Sequence, residues 1–216
     1  MCRIIYLSDH RAMSREELAQ VLANLERDRG GGGFGVGCFP ERGGEPFLEK
    51  FPKLTPEETA ELVKGLPEGR PVLIHARRKF KPHEELIPDY NMPHLVRDRR
   101  LGRAFFAQNG DIEDWRELAG VGYISDSAWL ADLINRGEED FFSLVERFSH
   151  FGVLVMLTEE DRFIWKQDPT DPEDPAFRDF TSLTLERDGM RYLVVISNPD
   201  NLGELARFVI GAGISR

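Results

Sequence analysis

The second residue of the chain is a cysteine, and this position gives it a chemistry that other cysteines lack. Once Met1 is removed, which happens when the second residue is small, Cys2 carries a free α-amine. An α-amine titrates near pH ~8, so a useful fraction is neutral at physiological pH and can take the thiol proton. Nucleophile and base then belong to one residue, as in N-terminal threonine nucleophiles. Because a second-position cysteine also occurs by chance, the hypothesis needs support from other residues.

An Asn-Gly pair follows the apolar stretch 104–107 and could stabilise a reaction intermediate. Attack on an amide creates an oxyanion, which needs two donors aimed at it. The Asn109 side-chain amide and the Gly110 backbone N–H can supply them, and glycine lets a substrate approach the backbone closely. The alternative is a hairpin turn, for which Asn-Gly is favoured. Here the pair leads into the helix-like stretch 112–115, which argues against a hairpin.

Two charged residues could recognise the α-carboxylate and the α-amine of an amino acid. Arg77 ends an apolar strand, and a guanidinium can bind a carboxylate through two parallel hydrogen bonds. Asp126 begins a predicted helix and could bind a substrate ammonium group. The alternatives are a surface charge for Arg77, beside Arg78 and Lys79, and an ordinary helix N-cap for Asp126.

The elements that must position these residues alternate between short strands and short helices. Capping-box patterns at Ser14–Glu17 and Thr55–Glu58 open the first two helices. Strands are predicted at 3–7, 34–39, 47–51, 71–77, 104–107, 153–157, 163–166, 181–186 and 192–196. Helices are predicted at 14–29, 55–65, 112–118, 126–135, 139–148 and 202–210, and a long polar loop at 79–103. Adjacent hairpins with paired blocks of helices favour antiparallel sheets covered by helices, an α+β fold.

The glycine-rich run 30–33 follows a helix and enters a strand. A phosphate-binding loop needs the opposite order, in which a strand leads into a helix. The order along the chain therefore argues against a dinucleotide site, and we expect no cofactor.

Composition limits the classes of function further. The chain has 216 residues, with 41% hydrophobic and 31% charged residues, which fits one soluble domain over residues 1–216. No apolar run approaches the ~20 residues that span a membrane, and the apolar start is too short for a signal peptide. We therefore expect a cytoplasmic protein without a membrane partner.

The net charge argues against a nucleic-acid partner, and the spacing of Cys and His argues against a metal site. The net charge is -10, and the arginine cluster at 97–103 is interpreted as a solvated loop, so no nucleic acid is expected. The two cysteines and five scattered histidines have no metal-ligand spacing, so no metal site is expected. Cys38 is interpreted as a packed strand residue. The oligomeric state stays open.

Several short motifs follow one another in a recognisable order. They are Cys2 before an apolar strand, Arg29-Gly30 followed by Gly35-Val36, His75-Ala76-Arg77, Asn109-Gly110-Asp111-Ile112 with Leu118, Ser125-Asp126-Ser127 with Leu130 and Leu133, and the strand end Val194-Val195-Ile196-Ser197-Asn198. In this order the sequence resembles the class II glutamine amidotransferase domain of the N-terminal nucleophile hydrolases. The resemblance implies a four-layer αββα sandwich of two antiparallel sheets.

The resemblance also implies roles for individual residues. Cys2 would attack the γ-carboxamide of glutamine and form a γ-glutamyl thioester, while Asn109 and Gly110 hold the oxyanion. Arg77 would bind the carboxylate of glutamine and Asp126 its amine. His75, Arg29 and Gly30 complete the substrate-binding surroundings of the nucleophile. Ammonia would leave, to be used by a separate synthetase subunit.

The sequence departs from the family pattern in four places. Phe80 stands where a hydroxyl residue is usual, Gln108 replaces a histidine, Ala128 replaces an acidic residue, and Gly32-Gly33 stand where an acidic residue is common. Two alternatives therefore stay open. One is a γ-glutamyl amide hydrolase acting on a small molecule, and the other is a catalytically degenerate binding or regulatory module.

Overall fold

The structure is a computed structural model. It describes residues 2–9, 11, 13–29, 31–53, 55–78, 91–110, 112, 114–120, 122–123, 125–148, 152–166, 180–187 and 190–197. In chain order the elements are β1 (Arg3–Leu7), α1 (Arg15–Arg29), β2 (Gly31–Cys38), β3 (Phe47–Phe51), α2 (Pro56–Gly65), β4 (Val72–Arg78), β5 (His94–Asp98), β6 (Gly102–Gly110), α3 (Trp115–Ala119), α4 (Asp126–Asn135), α5 (Phe141–Phe148), β7 (Gly152–Thr158), β8 (Phe163–Lys166), β9 (Phe180–Arg187) and β10 (Met190–Ser197).

The strands form two antiparallel sheets. The first sheet has the order β3-β2-β4-β1-β10-β9, and the second has the order β5-β6-β7-β8. In the first sheet the N-terminal strand β1 lies between β4 and β10, with Arg3 paired to Ala76 and Ile5 to Ile196. The start of the chain is therefore held by a neighbour on each side.

Three buried apolar clusters define four layers. The first cluster lies between helices α1 and α2 and the outer face of the first sheet; it includes Ile5, Leu7, Leu18, Val21, Leu22, Val36, Leu62, Val63, Val72 and Ile74. The second lies between the two sheets; it includes Ile4, Tyr6, Phe39, Leu73, Phe105, Ala107, Val153 and Val155. The third lies between the second sheet and helices α4 and α5; it includes Ala104, Phe106, Leu130, Ile134, Phe141, Leu144, Leu154 and Met156. The predicted αββα sandwich is confirmed.

Helix starts follow the capping signals in the sequence. The Ser14 hydroxyl accepts from the Glu17 N–H at 3.1 Å, and the Glu17 carboxylate accepts from the Ser14 N–H at 2.6 Å. Thr55 and Glu58 make the same reciprocal pair at α2. These bonds satisfy amides that the helix itself leaves without acceptors.

Three predictions about the middle of the chain are wrong. The loop predicted at 79–103 contains β5 and the start of β6, which pair as a hairpin from His94–Phe106 to Asp98–Gly102. The arginine cluster is therefore part of a hairpin rather than a solvated loop, and Arg99 pairs with Asp140 at 2.9 Å. Helix α3 also starts later than predicted, at Trp115. The predicted helix at 202–210, residues 79–90 and the turn at 188–189 lie outside the described residues.

Ion pairs join the two sheets at one end of the sandwich, which we name the turn end and define by Arg70, Arg103, Glu159 and Asp161. Arg70, just before β4, donates to Asp161 at 2.8 Å. Arg103, in β6, donates to Glu159 at 2.6 Å and 3.0 Å, and the Gly43 N–H donates to the same carboxylate. The first residues of β4 and β6 therefore lie at the turn end, and their last residues lie at the opposite end.

Acid should weaken the turn end through Glu159. Hydrogen bonds from Arg103, and then from Gly43, lower the pKa of Glu159 from 4.5 to about 2. A lowered pKa means that the charged carboxylate stabilises the fold above pH 4.5 and that this stabilisation is lost as the pH falls towards 2. Glu159→Gln is therefore expected to lower the melting temperature at pH 7, with a difference from the native chain that shrinks at acid pH. Circular dichroism melts between pH 7 and 3 measure this.

Glu160→Gln is the matched control for Glu159→Gln. Glu160 lies in the same turn, but its partners Arg42 and Arg162 are largely exposed, and exposed ion pairs contribute little. A larger loss of melting temperature in Glu160→Gln than in Glu159→Gln would contradict the assignment.

The two sheets approach closely at β2 because that strand carries glycine on its inner face. A Cβ on Gly35 would overlap the Met92 carbonyl oxygen, and one on Gly37 would lie 2.8 Å from the Phe105 ring. Gly35→Ala is therefore expected to lower the free energy of unfolding by about 1–3 kcal/mol through overpacking. Gly65→Ala is the control, because its Cβ would meet only Phe47 at 4.0 Å. Urea unfolding of both variants tests the prediction, and equal effects would refute it.

Candidate active site

The strand register brings most of the predicted site residues to one end of the sandwich. We name it the site end and define it by Cys2, Arg77, Asn109 and Gly110. Arg3 pairs with Ala76, so the antiparallel register sets Cys2 beside Arg77. Asn109 and Gly110 pair with the first residues of β7. Because the turn end holds the first residues of β4 and β6, Arg77 and Asn109 both lie at the opposite end. Residues far apart in sequence thus meet at one place.

Cys2 is half-buried at the start of β1. Ile4 and Tyr6, the residues two and four places further on, belong to the cluster between the sheets. Strand alternation therefore gives Cys2 the inner face of the first sheet. Cys38, by contrast, is fully buried, and burial raises the pKa of its thiol to about 12. A thiol held protonated in this way is a poor nucleophile, so of the two cysteines Cys2 is the better candidate nucleophile.

Asn109 and Gly110 are the last two residues of β6. Asn109 is 5% exposed and alternates with Phe105 and Ala107 of the cluster between the sheets, so it faces the first sheet. Gly110 has φ 145°, a backbone conformation that favours glycine. The pair ends a strand rather than turning a hairpin, as the sequence predicted. Cys2 and Asn109 therefore face the same space from opposite sheets.

Arg77 and His75 project from β4 into that same space, on the face that carries Leu73. Arg77 is half-buried, and its Nη1 donates to the Gly32 carbonyl at 3.3 Å. His75 is fully buried. Burial first, and then the charges of Arg77 and Lys50, lower the pKa of His75 to about 3. At neutral pH His75 is therefore an uncharged imidazole, so Arg77 supplies the positive charge on this face of β4.

Asp126 is the first residue of α4, and Ser125 is the N-cap, because the Ser125 hydroxyl accepts from the Ala128 N–H at 3.1 Å. The N-cap alternative for Asp126 is therefore excluded. The Asp126 carboxylate accepts from Gln108 Nε2 at 3.0 Å, from the Ile112 N–H at 3.1 Å and from the Ser127 N–H at 2.8 Å. These bonds fix the start of α4 against the end of β6, close to Asn109 and Gly110.

Sequence reasoning missed a polar chain that also reaches the start of α4. Lys50 Nζ lies 3.5 Å from His94 Nδ1, and His94 Nε2 lies 3.4 Å from the Ser127 hydroxyl. Burial and the charge of Lys50 lower the pKa of His94 to about 3, so its ring is neutral. Accepting from Lys50 leaves Nε2–H to donate to Ser127. No local signal in the sequence links Lys50 with His94, because the contact depends on how two sheet edges pack.

The remaining predicted residues lie at or beyond the limits of the described chain. Arg29 ends α1, and Gly31, the first residue of β2, pairs with Arg78, so Gly31 also lies at the site end. The Arg29 side chain, Gly30 and Phe80 lie outside the described part of the structure. Among the described residues no group of three or more His, Cys, Asp or Glu could hold a metal ion. None of the helices formed by the described residues has the length and apolar character that crossing a membrane requires.

The fold is similar to that of two solved structures. The first is glutamine phosphoribosylpyrophosphate (PRPP) amidotransferase from B. subtilis complexed with ADP and GMP, with 19% identity, a TM-score of 0.62, and coverage of 100% of this chain and 45% of that chain. The second is described as the allosteric regulatory enzyme of purine biosynthesis, with 19% identity, a TM-score of 0.64, and coverage of 100% of this chain and 44% of that chain.

At this identity the similarity establishes the fold, and the chain spans less than half the length of either protein. No protein-family model matches the sequence, and no curated protein sequence matches it.

Proposed function

We propose that the chain is an amide hydrolase of the glutamine amidotransferase type, in which Cys2 cleaves the γ-carboxamide of glutamine. The observation that carries the proposal is the meeting of Cys2, Arg77 and Asn109–Gly110 at the site end. These residues come from three strands and from both sheets, and they supply a nucleophile, a carboxylate ligand and an oxyanion hole. One protein with this fold is named a glutamine phosphoribosylpyrophosphate amidotransferase, and this name supports an amide-cleaving reaction on glutamine.

In the proposed reaction the α-amine of Cys2 takes the thiol proton, and the sulfur attacks the carboxamide carbon. The new C–S bond creates a tetrahedral oxyanion, which accepts hydrogen bonds from the Asn109 side-chain amide and the Gly110 N–H. The C–N bond then breaks, the Cys2 ammonium gives its proton to the leaving nitrogen, and ammonia departs. Water attacks the resulting γ-glutamyl thioester, the C–S bond breaks, and glutamate and the Cys2 thiol are released.

The substrate would be held by its α-carboxylate and its α-ammonium group. We assign the carboxylate to Arg77 and the ammonium to Asp126, while neutral His75 offers a hydrogen bond without charge. Arg29, the last residue of α1, and Gly30, which follows it in the sequence, would shape the surroundings of Cys2. This arrangement uses positioning and oxyanion stabilisation and requires no cofactor.

The fate of the nitrogen separates two versions of the proposal. In the first, ammonia passes to an acceptor protein outside these 216 residues, such as a separate synthetase subunit. In the second, the chain hydrolyses γ-glutamyl amides of small amines and releases the amine. Both use the same residues, so substrate preference rather than geometry distinguishes them.

The proposal is tested by labelling and by product release. The purified chain is incubated with 6-diazo-5-oxo-L-norleucine, an electrophile that mimics glutamine, and its intact mass is measured before and after. We expect loss of Met1, a single adduct that peptide mapping assigns to Cys2, and glutamate release from glutamine or from γ-glutamyl amides. A chain that lacks Met1 yet gives neither adduct nor glutamate would instead support the degenerate binding module.

A further inference from the structure

We propose that Gln108 determines substrate specificity at this site: its side-chain oxygen accepts a hydrogen bond from the substrate's α-ammonium group, beside Asp126. The inference rests on the proposed function and adds the residue by which the site selects γ-amides that carry a free α-amine.

Gln108 is a polar residue that directly follows the four apolar residues 104–107 of β6. It precedes Asn109 on β6 and alternates with Ala104 and Phe106 of the cluster beneath α4, so it faces the helix that begins with Asp126. The residue is 2% exposed. Its backbone N–H donates to the Met92 sulfur at 3.0 Å, which fixes the strand at this point.

The orientation of the Gln108 amide is set by its partners. Nε2 donates to Asp126 Oδ2 at 3.0 Å and to the Gly110 carbonyl at 3.2 Å. A carbonyl accepts only, so the nitrogen of the amide must face it and the oxygen must point elsewhere. The same side chain thus contacts both the residue proposed for the oxyanion hole and the residue proposed for the amine.

The oxygen of this amide, Gln108 Oε1, is buried, and no group in the described part of the chain donates a hydrogen bond to it. A buried acceptor without a donor is unfavourable, so such atoms mark places where a ligand or water completes the bonding. Oε1 belongs to the same amide whose Nε2 contacts Asp126 Oδ2, so a neutral acceptor lies in the vicinity of that carboxylate.

A primary ammonium group fits this pair of acceptors. It carries a positive charge for Asp126 and three N–H donors, one of which can satisfy Gln108 Oε1. A site whose buried polar groups are completed by a substrate N–H discriminates strongly against an analogue that lacks it, because those groups are then left without partners. The site should therefore prefer amides with an α-amine over otherwise identical amides without one.

The experiment compares L-glutamine with glutaramate, the same molecule without the α-amine, in the native chain and in Gln108→Met. Methionine keeps the length of the side chain and removes both polar atoms. We expect kcat/KM for L-glutamine to fall roughly 10–100-fold, the range for hydrogen bonds to charged groups, and kcat/KM for glutaramate to change less than about 3-fold. An equal fall for both substrates would overturn the inference, because it would indicate a general effect on the strand end or on folding.

Two further variants keep the test decisive. Gln20→Met makes the same substitution at an exposed position of α1 and should leave both values unchanged. Gln108→Glu retains an acceptor oxygen, and its carboxyl, when protonated beside Asp126, has an O–H that can still donate to that carboxylate, so the preference for L-glutamine should stay above that of Gln108→Met. If Gln108→Glu and Gln108→Met lose the preference equally, the oxygen is not the determinant.

A binding measurement separates this inference from the proposed reaction. Calorimetric titration of Cys2→Ala with L-glutamine measures recognition without turnover, and adding Gln108→Met should weaken binding roughly 10-fold or more. If the native chain binds L-glutamine in this Gln108-dependent way but releases no glutamate, the reaction is wrong and the amine site stands. If binding does not depend on Gln108, the inference fails even if turnover is observed.

Discussion

Cys2→Ala is expected to lower amide hydrolysis by roughly 10⁴-fold or more, because removing a nucleophile leaves only binding and the oxyanion hole. The same change should alter the free energy of unfolding by less than about 1 kcal/mol, because the side chain is half-buried at the start of a strand. Steady-state glutamate release and urea unfolding of the purified variant measure the two quantities. Covalent labelling by the glutamine-mimicking diazo-ketone should disappear together with the activity.

Cys38→Ala is the matched control for Cys2→Ala. Cys38 is fully buried in the cluster beneath α1 and α2, so its loss should reduce stability while the folded protein keeps its turnover. Activity that survives in Cys2→Ala would remove the proposed mechanism, and labelling that moves to Cys38 would identify a different thiol. Chains that retain Met1 should be inactive as well, since the α-amine of Cys2 is then part of a peptide bond.

The local parts of the structure were predictable from the sequence because their signals are local. Ser14 and Thr55 open helices through contacts with residues three places away, and the observed bonds are the predicted ones. Asp126 at the start of a helix and Asn109–Gly110 at the end of a strand follow from the same kind of short-range pattern. These signals place each residue on its element without fixing which elements are neighbours.

Strand β5 was missed because its residues do not show the usual pattern of an edge strand, in which apolar and polar residues alternate. Val96 is buried, while Leu95 and Arg97 on the other face are exposed. The more buried face carries the polar residues His94 and Asp98 on either side of Val96, so the stretch lacks the alternation of apolar and polar residues that identifies a strand with one buried face. The sequence pattern therefore predicts a polar loop here, whereas the apolar stretch 104–107 predicts the partner strand β6.

The bond between Gln108 and Asp126 could not be predicted, because it depends on the docking of α4 against β6. The resemblance treats Gln108 as a departure from a family pattern, whereas the structure gives it a hydrogen bond to Asp126. One signal was available: a glutamine follows four apolar strand residues, and a buried polar residue needs a partner. That signal predicts that a partner exists and cannot identify it.

Asn109→Ala is expected to lower kcat roughly 10²–10³-fold, the effect of removing one donor from an oxyanion hole. Asn109 lies at the end of β6, on the face turned towards the first sheet and Cys2. Since the oxyanion exists only as the reaction proceeds, the loss should appear in kcat and leave KM nearly unchanged. Stopped-time assays of glutamate release over a range of glutamine concentrations separate the two constants.

Two comparisons make the Asn109→Ala result specific to the oxyanion. Asn135→Ala removes an asparagine whose oxygen accepts from the Arg97 N–H at the far end of α4, so it should affect stability rather than kcat. Asn109→Asp keeps the size of the side chain but sets a negative charge against the developing oxyanion, so it should lower kcat at least as much as Asn109→Ala. If KM rises while kcat is preserved in both Asn109 variants, the residue binds the substrate rather than its transition state. Asn109 would then belong with Arg77 and Asp126, and the oxyanion hole would have to be built around the Gly110 N–H and a different donor.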